Sequence, residues 1–310
     1  MSDAVLRAEA MLRAACGDRV RTRFPMAPLT TFRIGGPAAL YLEPESDRDL
    51  VAAGRAVTET GLPVIVVGKG SNILVSDAGF GGLVLRLGKG FRWAARNGSR
   101  LSAGGAMPLP ALAGIALRHG LAGLEFGVAI PASVGGTVRM NAGAHGHEIA
   151  EVLERVETFR LRSGVTSSLP ASETGLEYRR SALPEDAVVT AATVVLVPAD
   201  AIAIRGAMDD ARDWRRRTQP LAEPNCGSVF RNPPDGHAAH LIEEAGLKGR
   251  SVGGASVSTK HANFIVASPG ASAADVVSLI GEVQELVERH SGIRLEPEVH
   301  LVGEFDRAPR

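Results

Sequence analysis

The chain has 310 residues, with 34 Lys and Arg set against 34 Asp and Glu, so its formal net charge is zero. Such a length suits two or three domains, and the balanced charge gives no reason to expect a nucleic acid or an anionic membrane as the main partner. With 45% hydrophobic and 22% charged residues, and only Cys16 and Cys226 as thiols, it reads as an ordinary globular protein with neither a disulfide framework nor a cysteine-based zinc site.

Residues 2–16 carry Val5, Leu6, Met11 and Leu12 near helical spacing and predict a first helix. A strand over 39–43 leads to Ser46, a good N-cap for a helix over 47–60 that Gly61 and Pro63 stop. The apolar run 64–67 predicts a strand ending in the loop Gly68-Lys69-Gly70-Ser71-Asn72. Short strands follow at 73–75, 83–87, 91–94 and 101–103, then a helix over 108–119. Strands at 156–161 and 188–197 come next; the second is so uniformly apolar that both faces should be buried. A boundary is expected near Pro198, before a helix from Ala201 to about Arg217. The remainder reads as a helix over 237–245, a strand over 263–267, a helix over 273–291 capped by Ser272 and stopped by Gly292, and a last strand over 295–302 broken by Pro297.

No signal-peptide pattern opens the chain, and no apolar run approaches the ~18–20 residues of a membrane span, so a cytoplasmic protein is expected. There is no Walker A loop, no GxGxxG after a strand, no HExxH and no CxxC. His145-Gly146-His147 resembles a metal pair but lacks the further converging ligands a metal needs. Gly249-Arg250-Ser251-Val252-Gly253 matches GxSxG, with Asp275 and His290 in hydrolase order; the strand before and helix after the serine are missing, so a glycine turn is expected.

Glycine stands out at 36 residues. Three glycine loops, 68–72, 130–137 and 140–144, are poor in charge and rich in Ser, Thr and Asn. Such loops can cradle a bulky diphosphate through backbone N–H groups. The alternative is that they serve only as turns in an antiparallel meander.

The residues then become specific. Thr30-Thr31-Phe32-Arg33-Ile34-Gly35-Gly36, Val67-Gly68-Lys69-Gly70-Ser71-Asn72, Ile130-Pro131-Ala132-Ser133-Val134-Gly135-Gly136 and Met140-Asn141-Ala142-Gly143-Ala144 occur in one order. Tyr178-Arg179-Arg180-Ser181, Gly227-Ser228-Val229-Phe230-Arg231-Asn232-Pro233 and Glu296-Pro297-Glu298-Val299 follow. Together they resemble the UDP-N-acetylenolpyruvoylglucosamine reductases (UDP-N-acetylmuramate dehydrogenases), of the shorter type without an inserted tyrosine loop.

The resemblance implies an α+β fold: a two-lobed FAD-binding domain of the vanillyl-alcohol-oxidase (PCMH) type, then a smaller α+β substrate-binding domain. The expected division is a lead-in at 1–28, the FAD domain at 29–198 (lobes about 29–85 and 86–198) and the substrate domain at 199–310. It implies noncovalent FAD, NADPH as reductant and the enolpyruvyl ether of UDP-N-acetylglucosamine as substrate, in a cytoplasmic monomer making a peptidoglycan precursor. By motif position, Arg179, Ser228 and Glu298 are the catalytic candidates. FAD contacts are implied for Gly68, Lys69, Gly70, Ser71, Asn72, Ile130, Pro131, Ser133, Gly135, Gly136, Thr137, Asn141, Ala142 and Gly143. Substrate contacts are implied for Tyr178, Arg231, Asn232 and Lys260. An arginine suits a carboxylate on which charge develops, a hydroxyl can relay a proton, and a glutamate after Pro297 could be buried enough to stay protonated. Competing readings are another flavin oxidoreductase of this fold, a nonenzymatic nucleotide-sugar binder, and the GxSxG hydrolase.

Overall fold

A computed structural model describes residues 2–305 as two compact units built from interleaved segments. The first comprises Met1–Arg23, Ala39–Lys69 and Gly82–Arg215; the second comprises Phe24–Ala38, Gly70–Gly81 and Arg216–Arg310. This differs from the three consecutive stretches expected from sequence, whose outermost ends, Met1 and residues 306–310, lie outside the described residues. The boundary near Pro198 falls after Arg215 instead. The reason is the helix beyond it, which points Ile204, Met208 and Ala211 at i, i+4 and i+7 into the first unit's core.

In the first unit, α1 (Asp3–Cys16) starts on the Ser2 cap and buries Val5, Ala8, Leu12 and Cys16. Helix α2 (Asp47–Thr60) begins with a reciprocal capping box, Ser46 with Asp49, and ends at Gly61 in the left-handed region, φ 67°. Asp49 also accepts two hydrogen bonds from Arg19, at 2.6 and 2.7 Å. A four-stranded sheet runs in the order Arg21–Pro25, Pro37–Leu42, Phe80–Leu85, Val64–Val66.

A second, antiparallel sheet runs in the order Thr166–Pro170, Leu153–Arg160, Ala187–Val195, Arg100–Gly104, Ala94–Asn97. Its central strand, Ala187–Val195, has strands on both sides and most of its residues buried, as the unbroken apolar run requires. Helices α3 (Leu109–Arg118), α4 (Val134–Arg139) and α5 (Ala201–Thr218) complete the unit. Leu101, Leu109 and Val156 in this core are at most 1% exposed; burying each contributes roughly 1.5–3 kcal/mol.

The second unit centres on α7 (Ala273–Ser291), with α6 (Ala238–Glu244) and a three-stranded sheet of Ser251–Val252, Ala255–Val257 and Ile265–Ala267. Helix α7 has its own capping box, Ser272 with Asp275, and ends at left-handed Gly292. Asp77 accepts from the Ala273 and Ala274 amides in the first turn of α7. The expected strand over 295–302 shrinks to His300–Val302, paired in parallel with Ile73–Val75. The expected strand over 91–94 begins only at Ala94 and runs to Asn97, because Lys89–Phe91 forms a 3₁₀ turn. Its Gly90 lies so close to the Glu45 carbonyl that a Cβ would come within 1.8 Å of that oxygen. Among the described residues, no helix is long and apolar enough to cross a membrane.

Candidate functional site

The first unit holds a cleft of about 640 Å³, open mouth included. Its floor is made of small residues because main chains meet there. A Cβ on Gly105 would lie 2.1 Å from the Val189 carbonyl oxygen, and one on Gly68 would lie 2.5 Å from Ser133 Oγ. Lys69, Arg86, Arg92 and Arg139 are its charged lining residues; no carboxylate lines it. Arg139 spends its guanidinium on the carbonyls of Leu183, Pro184 and Ala187 rather than on an acid. Burial, followed by the repulsion of Arg92 and Arg86, pushes the Lys69 ammonium below its ordinary range. Four cations gathered in a cleft lined by no carboxylate suit an anion.

The backbone separates the glycine loops into two kinds. Among the described residues, the amides of Gly68, Lys69, Gly70, Ser71 and Asn72 meet no acceptor. Gly70 needs its left-handed φ of 62°, and a Cβ there would come within 2.0 Å of the Leu29 carbonyl oxygen. The loop over 130–137 does not offer the amide cradle expected of it, because it folds into α4 and uses its own N–H groups. Val134 donates to Met107, Gly135 to Gly105, and Thr137 to Ser133, at 2.8–2.9 Å. Gly136 donates to Ser133 Oγ. Ser133, Gly135 and Gly136 line the cleft as surface; Ile130, Pro131 and Thr137 do not line it, and Thr137 is fully buried.

The third loop is held by its own hydrogen bonds. Asn141 is fully buried with a positive φ of 40°. Its side-chain amide donates to Glu177 O, and its Oδ1 accepts from the Ala150 amide. Ala142 is tied through its own amide to Thr137 and through its carbonyl to Ile149. Gly143 offers its carbonyl to the Arg179 guanidinium at 3.0 Å. None of these three lines the cleft; the loop supports Arg179.

Arg179 occupies the corner of a two-residue turn closed by reciprocal Glu177–Arg180 backbone bonds, and its φ is +56°. A side chain in that region costs on the order of 1–3 kcal/mol, and such strain gathers at functional positions. The guanidinium also lies over the exposed Tyr178 ring, 4.9 Å from its centroid. The adjacent Arg180 is paired to Glu177.

In the second unit, Ser228 follows left-handed Gly227 and begins the segment 228–231. Val229 accepts from the Glu298 amide at 2.7 Å, and Arg231 donates to the Glu296 carbonyl at 2.9 Å, so 228–231 pairs with 296–298. Glu296 is exposed and its carboxylate meets the Arg231 guanidinium at 3.0 Å. Glu298 is half-buried, and its charge, after burial itself, helps push the Cys226 thiol up. Asn72 donates its side-chain amide to the Glu298 carbonyl. Asn232 accepts from the first amide of α6, and Lys260 donates to the Arg216 carbonyl.

The GxSxG segment is a hairpin, with Ser251 donating to Gly249 O. Asp275 and His290 lie 15 positions apart on α7, about 22 Å at 1.5 Å per residue, so no triad forms. His147 meets Glu151 and His145 packs edge-on to Trp214; among the described residues, no three potential ligands gather around a metal position. Sequence reasoning missed Arg86, Arg92 and Arg139, which converge from distant positions, and Asn263, whose only signal was a polar residue opening an apolar strand.

The cleft, its cations and the free amides of Gly68 and Lys69 fit an anionic dinucleotide, and none of the lining residues is a His, Cys or Tyr that could attach a flavin covalently. Residues 38–166 match the FAD binding domain family: the chain is an FAD-dependent oxidoreductase with an α+β fold of the vanillyl-alcohol-oxidase type. Residues 219–302 match the UDP-N-acetylenolpyruvoylglucosamine reductase C-terminal domain. The chain is 46% identical to UDP-N-acetylenolpyruvoylglucosamine reductase 2 of Symbiobacterium thermophilum, with 92% of each covered. It is 42% identical to the Halalkalibacterium halodurans reductase, over 94% of this chain and 97% of the relative. The crystal structure of the Thermus caldophilus reductase superposes with a TM-score of 0.81 at 37% identity, over 92% of this chain and 99% of that one. The chain belongs to the UDP-N-acetylenolpyruvoylglucosamine reductase family.

Proposed function

We propose that this protein uses NADPH to reduce the enolpyruvyl ether of UDP-N-acetylglucosamine to UDP-N-acetylmuramate, a peptidoglycan precursor, in the cytoplasm. The chemistry that FAD would supply when bound is hydride transfer from NADPH to the β-carbon of the enolpyruvyl group. Lys69, Arg139 and the amides of Gly68 and Lys69 would hold the FAD diphosphate through charge and N–H donors. Arg179 meets the substrate carboxylate with paired N–H groups as negative charge develops there. Glu298, in its acid form, donates a hydrogen bond to the same developing enolate. Ser228 gives its hydroxyl proton to the α-carbon, and solvent or a neighbouring acid replaces that proton. Tyr178, Arg231, Asn232 and Lys260 are available for the rest of the UDP-sugar.

The observation that supports this reading most is the Glu298–Val229 backbone bond. It places the hydroxyl of Ser228 and the carboxyl of Glu298 on paired segments within the stretch matched to the reductase C-terminal domain.

The test is anaerobic rapid mixing of the flavin-loaded protein. NADPH should bleach the flavin and the enolpyruvyl UDP-sugar should restore its colour. Ser228→Ala should leave bleaching intact and slow recolouring by ~10²–10⁴. Equal slowing of both steps would make Ser228 structural, and a protein that never takes up FAD would end the proposal.

A further inference from the structure

Asn263 is 3% exposed and has no part in the mechanism above. Its side chain bonds twice to one residue: Oδ1 accepts from the Phe230 amide at 2.9 Å, and Nδ2 donates to the Phe230 carbonyl at 2.8 Å. Its carbonyl accepts from the Val229 amide, also at 2.9 Å. Asn263 therefore presents to the 228–231 segment the acceptor–donor pattern of a neighbouring strand, on the side opposite the Glu298 bond to Val229 O. Of the side chains with this short reach, only Asn carries both an acceptor and a donor on one rigid plane.

We infer that Asn263 is a positioning residue that fixes Ser228 relative to Glu298 through Val229 and Phe230. The inference rests on the roles proposed for Ser228 and Glu298. Val229 is gripped from both sides, its amide by Asn263 and its carbonyl by Glu298. Loosening one grip shifts the hydroxyl against the carboxyl without removing either group.

Asn263→Asp keeps the acceptor for the Phe230 amide but turns a carboxylate oxygen toward the Phe230 carbonyl; Asn263→Ala removes both bonds. Both variants, Ser228→Ala and the double variants are loaded with FAD and followed anaerobically, with NADPH and then the enolpyruvyl UDP-sugar. Misplacement by about 1 Å costs on the order of 10²-fold. Flavin reoxidation in Asn263→Asp should slow by about that factor, through kcat rather than KM, with a raised solvent deuterium isotope effect. Bleaching by NADPH should be unchanged. In the Ser228→Ala background either Asn263 substitution should add less than about threefold, because coupled residues are not additive.

Equal slowing of both steps, fully multiplicative effects with Ser228→Ala, or loss of flavin-bound folded protein in both Asn263 variants would overturn the inference and leave Asn263 a fold residue. A Ser228→Ala protein that recolours at the parent rate would instead bring down the role of Ser228, and this inference with it.

Discussion

The cleft of the first unit and the Ser228–Glu298 group of the second are built on opposite plans. In the cleft, four cations gather where no carboxylate lines the wall, beside Gly68 and Gly105, which leave no room for a Cβ. In the second group Arg231 faces Glu296, and Ser228 and Glu298 ride on backbones bonded to each other. Clustered cations suit an anion whose binding repays their repulsion. Segments bonded to each other through their backbones suit groups that must hold one geometry while a proton moves. Substitutions in the cleft should therefore weaken binding, and substitutions in the second group should slow chemistry. Arg179 tests that division, because it lies in the first unit yet is strained and braced like a catalytic group.

Within the first unit the largest effect is expected at Arg179. Arg179→Met should lower turnover by ~10²–10³, and Arg179→Lys should recover little, because a point charge cannot give two parallel bonds to a carboxylate. Arg179→Gly should be equally inactive yet raise thermal stability by about 1 kcal/mol, since glycine accepts the left-handed corner without strain. Steady-state kinetics with a thermal melt on each variant checks the pair. An active Arg179→Lys, or an Arg179→Gly that melts lower, would mean the corner serves the fold.

In the cleft, Lys69→Ala should weaken FAD by about tenfold, equivalent to ~1.4 kcal/mol, with a shallower salt dependence, and should leave turnover of the saturated enzyme near the parent value. Flavin titration at two salt concentrations reads this directly. A fall in turnover with undiminished flavin affinity would erase the contrast between the two regions.

Helices were legible where local chemistry sets their ends. Ser46 with Gly61 and Ser272 with Gly292 bound α2 and α7 at the residues expected, because caps and left-handed glycines act within one turn of chain. The central strand Ala187–Val195 was legible because burial on both faces leaves an unbroken apolar run. What stayed hidden depends on distant partners. The last strand is defined by pairing with Ile73–Val75, and α5 belongs to the first unit because three of its residues find a core there. The glycine motifs at 130–137 and 140–144 were visible, but not the parts they play. Whether an amide faces a ligand or a carbonyl depends on which carbonyls, such as those of Met107 and Gly105, come near it. Lys69, Arg86, Arg92 and Arg139 likewise form a cluster only once folded.

The smallest effect is expected far from both regions, at the Arg19–Asp49 pair, which gives the comparison its baseline. Asp49 is 4% exposed and accepts from Arg19, from the Glu45 and Ser46 amides and from the Cys16 thiol. The Arg19 hydrogen bonds hold its carboxyl well below the usual carboxylate range, against the opposing effect of burial. A depressed folded-state pKa means the carboxylate favours the folded state fully above the unfolded value near 3.9, and that stabilisation is lost as pH falls through the lower, folded value. Arg19 is 39% exposed at its side chain, so solvent screening discounts the pair, and Arg19→Ala should cost about 1–2 kcal/mol at neutral pH. With its main partner gone, Asp49 protonates at higher pH, so the acid-unfolding midpoint should move up while FAD affinity and both half-reaction rates stay at parent values. The reverse outcome, an unmoved acid midpoint with altered flavin chemistry, would show that the first unit transmits the state of α1 and α2 to its cleft.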